Sequence, residues 1–231
     1  DDFIIYWNNF PIAKLCIGKD YLNPNFDLIV DDIIEQNSRQ RLNNFIHKWL
    51  NDKINNVLKS LIDLKNIKEN NSSIKALAYQ LYENNGVLKR DHVSEYLSNL
   101  EQNERKILRD LGVKFGRYHV FLFQLIKPEA VSLRTLLWKN YHQKYFNLKP
   151  PTFGLNFIDD KNLKSKNFML LCGFEKFDTL FVRIDILERL FMLIINSSNK
   201  ENHEIRVVPE MFNLLGCSKI NFKKLLQKMN Y

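Results

Sequence analysis

The sequence predicts a mainly α-helical protein with short β elements, an α+β fold. Three observations support this class: a β-hairpin signature near the start, apolar residues at helical spacing through the middle, and β-prone runs that alternate with helical ones towards the end. The chain has 231 residues, 45% of them hydrophobic and 13% aromatic, which is ample for a substantial core. We expect a β-hairpin plus a long amphipathic helix over residues 1–68, a helical middle over 69–150, and an α+β part over 151–231 that ends in a helix-turn-helix-like pair.

The first part opens with FIIYWNNFPIAKLCI, residues 3–17, a stretch typical of a β-hairpin. Two β-prone runs flank Asn8 and Asn9, and asparagine tolerates the positive φ of a tight hairpin turn. Pro11 indicates an edge strand, because proline has no N–H to donate. From Asn25 to Leu64 the pattern becomes helical, and we expect one long amphipathic helix there. Its apolar stripe consists of Leu42, Phe45, Ile46, Trp49, Leu50, Ile54, Val57, Leu58, Leu61 and Ile62.

The middle part is predicted to be a series of helices. Polar residues 66–73 predict a loop, after which Ser72 or Ser73 would cap a helix that stops at Gly86. Short helices are expected at about 91–99 and 102–111, with Gly112 ending the second. A further helix follows Pro128, with an apolar side formed by Val131, Leu133, Leu136, Leu137 and Trp138.

The C-terminal part is predicted to mix strands and helices after a break at LKPPT, residues 148–152. Strand-like runs occupy 151–159 and 167–185, with turns at Gly154 and near Asp178. Residues 183–195 are helical in pattern, 196–204 predict a loop, and IRVV at 205–208 predicts a short strand. The last two helices are separated by Gly216, and Ser218 is a natural N-cap for the second.

Charge and cysteine content restrict the class of protein. A net charge of +8 and a pI near 9.3 suit an anionic partner, either RNA or DNA or an acidic protein surface. Cys16, Cys172 and Cys217 form no CxxC pair, which argues against disulfides and structural zinc and fits a reducing, cytoplasmic location. No stretch approaches the roughly 18 apolar residues of a membrane span, so no membrane partner is expected. Because Asp1 opens the chain without an initiator methionine or a signal-peptide pattern, we expect a fragment of a longer protein.

No catalytic motif is apparent. The phosphate-binding P-loop requires GxxxxGK[ST], and none of the seven glycines begins such a run. The five histidines show no HxxxH or HExxH spacing, so no metal site is expected. Cys172 and Cys217 lie in apolar contexts, where a buried and inert thiol is expected. We therefore predict that this chain is non-catalytic and holds no cofactor of its own.

The final helix is the first of two basic clusters. No acidic residue occurs between Cys217 and Tyr231, and the opposite side of the helix is apolar. Such a helix can bury one face and present lysines to a phosphate backbone, although an ordinary solvated face has the same pattern. The basic residues are Lys219, Lys223, Lys224 and Lys228, and the apolar ones are Phe222, Leu225, Leu226 and Met229.

The second cluster surrounds the stretch LGVKFGRYHVFLFQLIKP, residues 111–128, and the helix after it. Basic groups interleaved with tyrosine and histidine are what proteins use to bind single strands, through phosphate pairing and base stacking. In the alternative, Tyr118 and His119 pack at a helix–strand junction and His119 is hydrogen-bonded internally. The candidate contacts are Lys114, Arg117, Tyr118, His119, Lys127, Arg134 and Lys139.

The same stretch, followed by LRTLLW at 133–138, resembles a segment of bacterial superfamily 2 helicases related to the RNA helicase of the mitochondrial degradosome. It lies in the long region C-terminal to their motor. Further resemblances occur in order along the chain: IYWNNFPIAKL at 5–15, KALAYQLYENNGVL at 75–88, FVRIDILERL at 181–190 and LLGCS at 214–218.

The resemblance implies an ATP-dependent helicase as the parent protein, with ATP and Mg²⁺ bound by a motor outside this sequence. This chain would then be a non-catalytic accessory region that guides or holds RNA or DNA, as a single strand, beside the motor in cis. In the alternative, it is a protein-interaction scaffold that docks the motor onto a partner such as a nuclease, with Tyr141, Tyr145, Phe146 and the edge of the hairpin as contact surface.

Overall fold

The computed structural model describes residues 3–29, 35–68, 71–162, 165–198 and 205–231. Across these ranges, ten α-helices accompany nine strands, which form three small antiparallel sheets. The mainly helical α+β class predicted from the sequence is therefore confirmed.

The first sheet contains β1 (Ile4–Trp7), β2 (Phe10–Asp20) and β3 (Asn23–Leu28), in that spatial order. The hairpin is confirmed, since Asn8 and Asn9 have φ values of 45° and 68° in the turn between β1 and β2. The edge position expected from Pro11 is wrong, because β2 lies between the other two strands. Pairing with β3 begins only at Ala13, so at Pro11 the strand has a neighbour on one side alone.

The single long helix predicted from Asn25 is replaced by three elements. Residues up to Leu28 belong to β3, residues 30–34 lie outside the described ranges, and two helices follow, α1 (Gln36–Val57) and α2 (Lys59–Lys65). The break falls at Leu58, which has φ −103° and ψ 22° and is fully buried. Leu58 continues the apolar stripe, so periodicity alone gave no signal for the break.

The middle part combines the expected helices with a sheet that the sequence did not predict. The helices are α3 (Ser72–Glu83), α4 (Ser94–Ser98), α5 (Gln102–Asp110) and α6 (Pro128–Tyr141). The sheet has the order β4 (Val87–Lys89), β6 (His119–Leu122), β5 (Val113–Phe115). The N-cap of α3 is Asn71, whose side chain accepts hydrogen bonds from the N–H groups of Ser73 and Ile74, so the expectation of a serine cap is wrong.

The C-terminal part contains a third sheet and four helices. Its strands are β7 (Phe157–Asp159), β8 (Phe174–Phe177) and β9 (Leu180–Arg183), with β9 in the middle. The helices are α7 (Lys166–Leu171), α8 (Ile184–Ser197), α9 (Pro209–Leu215) and α10 (Lys219–Lys228). The turn near Asp178 is confirmed by its φ of 61°, whereas α7 occupies a run expected to be a strand.

Two details at the end of the chain test local predictions. Ile205 forms only an isolated bridge with Ser198, so the strand expected at 205–208 is wrong, and residues 199–204 of the expected loop lie outside the described ranges. The terminal helix pair is confirmed: Gly216 adopts the left-handed conformation (φ 66°), and the Ser218 hydroxyl accepts a hydrogen bond from the N–H of Asn221 at 3.2 Å.

Helix α6 lies at the centre of the molecule. It contacts α1, β2 and α7, and even its polar residues Arg134, Thr135, Lys139 and Asn140 are buried. The largest hydrophobic cluster joins the first sheet, α1–α3 and the second sheet, so the parts predicted as 1–68 and 69–150 share one core. A second cluster holds α8, α9 and α10 against the third sheet.

Candidate functional site

The lysine face of α10 is exposed as predicted. Lys219, Lys223, Lys224 and Lys228 all point to solvent, while Phe222, Leu225 and Met229 are buried and Leu226 is half-buried. Phe222 packs on Phe212 of α9 with ring centroids 4.7 Å apart, which fixes the orientation of the helix. An acidic group lies near one end of the face, where Lys228 Nζ is 3.5 Å from the carboxylate of Asp178.

The turn between β5 and β6 lies beside the C-terminal end of α10. The Tyr118 hydroxyl is 2.9 Å from the hydroxyl of Tyr231, three residues after the last lysine of the face. Arg117 is exposed, and its guanidinium lies over the ring of Phe191 at 5.8 Å from the centroid. The structure therefore places Tyr118 next to Tyr231, which follows α10, although the two segments are far apart in the sequence.

The backbone of this turn binds the carboxylate of Glu188 on α8. Glu188 accepts hydrogen bonds from the N–H groups of Arg117, Tyr118 and His119, at 2.5, 3.0 and 3.0 Å. A Cβ atom at Gly116 would lie 2.3 Å from the Glu188 carboxyl carbon, so any larger residue displaces the carboxylate. Gly116 is needed because of this close approach between the β5–β6 turn and α8.

His119 belongs to the interior. Its side chain is 1% exposed, and Nε2 lies 2.9 Å from Glu175 Oε2, while Glu175 Oε1 pairs with Lys89 at 2.7 Å. Burial opposes the charged imidazole, but the hydrogen bond to Glu175 and the attraction of the Glu175 and Glu188 carboxylates outweigh it and raise the pKa of His119 above 6.5. Burial likewise opposes the Glu175 carboxylate, but His119 and Lys89 outweigh it and lower its pKa. The prediction that His119 contacts a nucleic-acid strand is therefore wrong, because its side chain is buried and hydrogen-bonded inside the protein.

Arg134 and Lys139 on α6 are also inaccessible, so their predicted role as strand contacts is corrected. Arg134 is fully buried and donates to the carbonyl oxygens of Asn85 (2.6 Å), Leu125 (3.0 Å) and Leu171 (2.5 Å). Burial lowers its pKa to about 10. Lys139 is 3% exposed, and burial together with the charge of Lys149 lowers its pKa. Both residues lie on covered sides of α6, whose exposed residues are Pro128, Glu129, Ser132 and Tyr141.

The remaining two predicted residues, Lys114 and Lys127, are exposed and lie in different parts of the surface. Lys114 lies on β5, three residues before Arg117. Lys127 precedes α6 and borders a different cleft, together with Lys59 and Asp110. We call Lys219, Lys223, Lys224, Lys228, Arg117 and Tyr118 together the basic face; Lys114 lies on β5, the strand that precedes Arg117.

Sequence reasoning missed a cleft of about 680 Å³ between α2, α3 and α6. Five aromatic side chains line it, those of Tyr21, Tyr79, Tyr82, Trp138 and His142. A signal was available in α3, where Tyr79 and Tyr82 are three residues apart and share a face. The contributions of Tyr21 and α6 depend on the tertiary fold and left no local pattern.

Among the residues the structure describes, no group of three or more histidine, cysteine or carboxylate side chains could hold a metal ion. Cys172 is buried as predicted, and burial raises its thiol pKa to about 12; Cys217 is half-buried and its pKa is also raised by burial. A helix long and apolar enough to cross a bilayer does not occur in the described ranges either.

Comparison of the chain with protein-family models, with curated proteins and with solved structures gave no match in any of the three.

Proposed function

We propose that this chain is a non-catalytic accessory region of an ATP-dependent helicase that binds a single strand of RNA or DNA. The observation that carries the proposal is the contact between Tyr118 and Tyr231, which places the β5–β6 turn that carries Arg117 beside the C-terminal end of α10. The strand would run along the basic face. ATP and Mg²⁺ would be bound by a motor, in cis but outside this sequence, and this chain would guide or hold the strand beside it.

The chemistry of the basic face favours phosphate contacts over base reading. Four lysines and one arginine are exposed, whereas the base-reading side chains asparagine and glutamine are represented on α10 only by Asn221 and Gln227. Asn221 Nδ2 is already bonded to Asp159 at 3.0 Å. Affinity should therefore depend weakly on sequence and strongly on salt, because each phosphate contact releases counterions.

A charge-reversal variant tests the proposal. Lys223→Glu, Lys224→Glu and Lys228→Glu together should abolish binding of a fluorescently labelled oligonucleotide, measured by anisotropy at low salt. The milder triple alanine variant should lower the slope of log affinity against log salt by about 2, because each single-strand phosphate contact contributes roughly 0.7. Salt slopes equal to those of the wild type would contradict the proposal.

The matched control carries the same charge change elsewhere. Lys19, Lys48 and Lys166 are exposed and distant in sequence from the basic face, and their joint replacement by glutamate changes the net charge equally. If binding depends on the basic face, this control retains most of the affinity. Equal loss in both variants would indicate a response to net charge alone.

A second candidate function, docking of the motor onto another protein, is favoured by a separate observation. The tip of the first hairpin exposes Tyr6, Trp7 and Phe10, the last with 71% of its surface accessible. Trp7 contacts Phe45 on α1 with ring centroids 5.1 Å apart, and Trp49 extends the same exposed surface. Aromatic patches of this kind are enriched at protein interfaces. Tyr141 and Phe146 are exposed as well, whereas Tyr145 stacks on Trp138.

The two functions predict opposite responses. Replacing Trp7 by Ala and Phe10 by Ser should leave oligonucleotide binding unchanged if the chain acts only as a strand guide. Under the docking function, the same variant should lose binding to the isolated motor or its partner nuclease in a calorimetric titration, and the lysine reversal should have almost no effect on it.

A further inference from the structure

We propose that the cleft between α2, α3 and α6 binds a nucleobase that carries an exocyclic amino group next to an acceptor ring nitrogen, as adenine and cytosine do. The inference extends the proposed function to a second site. It does not use the basic face, so each can be tested without the other.

The walls of the cleft suit a flat aromatic ring. Tyr79 and Tyr82 come from α3, and Trp138 and His142 from α6, and 60% of the surface of Tyr79 is exposed. Trp138 is held by stacking on Tyr145, with ring centroids 4.8 Å apart and planes 19° from parallel. The volume of the cleft, about 680 Å³, is within the range of ligand sites, and its aromatic walls are accompanied by charged side chains and Asn85.

Two residues that line the cleft carry buried polar atoms without partners. Among the described residues, Tyr21 Oη and Asn85 Oδ1 are both buried and make no hydrogen bond, and both residues line the cleft. Buried polar atoms are nearly always paired in native proteins, so two orphans in one cleft indicate a missing ligand group or water. Asn85 Oδ1 is an acceptor, and the Tyr21 hydroxyl can donate. An amino group beside a ring nitrogen supplies the complementary donor and acceptor.

Arg134 acts as a positioning residue for Asn85. It donates to the carbonyl oxygen of Asn85, whose backbone is in the left-handed region with φ 56°. The same guanidinium ties this turn to the chain at Leu125 and Leu171. The buried arginine thus fixes the turn that carries Asn85 at the wall of the cleft.

The charges at the rim favour recognition of the base over the phosphate. Lys65 and Lys75 are balanced by Asp20 and Glu83, and Lys65 Nζ lies 3.9 Å from an Asp20 oxygen. The Lys65 ammonium also lies 5.1 Å from the Tyr82 ring centroid. An isolated phosphate therefore gains little net attraction here, and a nucleoside should bind about as well as its monophosphate.

Paired ligands provide the test. AMP and CMP present an amino group beside an acceptor nitrogen, whereas IMP and UMP present a carbonyl beside an N–H at the same positions. Saturation-transfer NMR on the whole chain should show AMP and CMP binding, with IMP and UMP at least about tenfold weaker and inorganic phosphate without effect. Equal affinity for AMP and IMP, or no saturable AMP binding at millimolar concentration, overturns the proposal.

Two variants assign the effect to Tyr21 and Asn85. Tyr21→Phe removes only an unpaired hydroxyl, so it should fold at least as stably as the wild type and bind AMP about three- to tenfold more weakly. Asn85→Gly tolerates the positive φ and should lose the preference for AMP over IMP. Tyr96→Phe, in the main core away from the cleft, is the control and should change neither property. Unchanged AMP affinity in Tyr21→Phe contradicts the proposal.

Competition identifies the source of the base. If AMP displaces a labelled oligoadenylate, the cleft binds a base of the bound strand. If AMP binds without displacing the oligoadenylate, the cleft binds a free nucleotide. Both results support the site. The reversal of Lys223, Lys224 and Lys228 should remove strand binding and leave AMP binding intact. Failure of AMP binding with intact strand binding would overturn this inference alone, and the converse would overturn the proposed function alone.

Discussion

The Glu188 carboxylate accepts a hydrogen bond from the backbone N–H of His119 at 3.0 Å, across 69 positions of sequence. The neighbouring N–H groups of Arg117 and Tyr118 donate to the same carboxylate, so three consecutive N–H groups of the β5–β6 turn bind one acidic side chain. The conformation that exposes Arg117 therefore depends on α8.

Gly116→Ala should destabilise the protein by about 1–3 kcal/mol, because its Cβ would lie 2.3 Å from the Glu188 carboxyl carbon. Urea unfolding measures the change. In a Glu188→Ala background the same substitution should cost much less, since the obstructing carboxylate is gone. Additive effects of the two substitutions would show that the close approach is not the cause.

The stability of the protein should depend on pH through the pair His119–Glu175. Because the folded pKa of His119 is raised, its contribution is complete below its ordinary value of 6.5 and is lost as the pH rises through the folded value. The folded pKa of Glu175 is lowered. The contribution of Glu175 to stability is therefore complete above its ordinary pKa of 4.5 and is lost as the pH falls through the folded pKa. The pair should therefore contribute most between these two ordinary values.

Unfolding free energies measured against pH can isolate this effect. His119→Gln should flatten the decline on the alkaline side, whereas replacement of the exposed His92 by Gln should leave the profile unchanged. A wild-type profile that is level from pH 6 to 9 would contradict a raised His119 pKa.

Replacement of Arg134 should be among the most damaging single changes. Arg134→Ala leaves three carbonyl oxygens without their donor and opens space in the centre of the molecule, which should cost about 3–5 kcal/mol. Arg134→Lys should recover only part of the loss, because a single ammonium cannot reproduce the planar geometry of the guanidinium. Thermal and urea unfolding measure both variants, and exposed Arg41→Ala, expected within about 0.5 kcal/mol of wild type, is the reference.

The Tyr118 ring, more than its hydroxyl, should matter for strand binding. Tyr118→Phe removes the contact with Tyr231 and keeps the ring, so affinity should change little. Tyr118→Ala should weaken binding by about 1–3 kcal/mol if a base stacks there. Anisotropy titrations of both variants, with circular dichroism to verify folding, separate stacking from the hydroxyl contact. Equal affinity of Tyr118→Ala and wild type would exclude a stacking role.

The sequence predicted those parts of the structure that local patterns determine. The Asn8–Asn9 turn, the caps around Gly216 and Ser218, and the amphipathic α10 all follow from residues within one or two turns of each other. β3 was missed because the residues from Asn25 onwards were interpreted as helix, and pairing with β2 is what makes this segment a strand. Strands of three residues, such as β4 and β5, are too short to show any alternation.

The predicted nucleic-acid contacts were wrong at positions where burial and hydrogen bonding depend on residues distant in the sequence. His119 finds its carboxylate partner 56 residues away in Glu175, and Arg134 finds its carbonyl acceptors in three separate segments. Neither partner can be read from neighbouring sequence. The exposed lysines of α10 were predictable because the burial of one side of a terminal helix follows from its own periodicity.

The contact between Gly116 and Glu188 also has an evolutionary consequence. A related chain that replaced Glu188 would lose the reason for glycine at position 116, and one that replaced the glycine could no longer seat the carboxylate. The two positions should therefore vary together in any set of relatives, and their two segments should be inherited as a single unit.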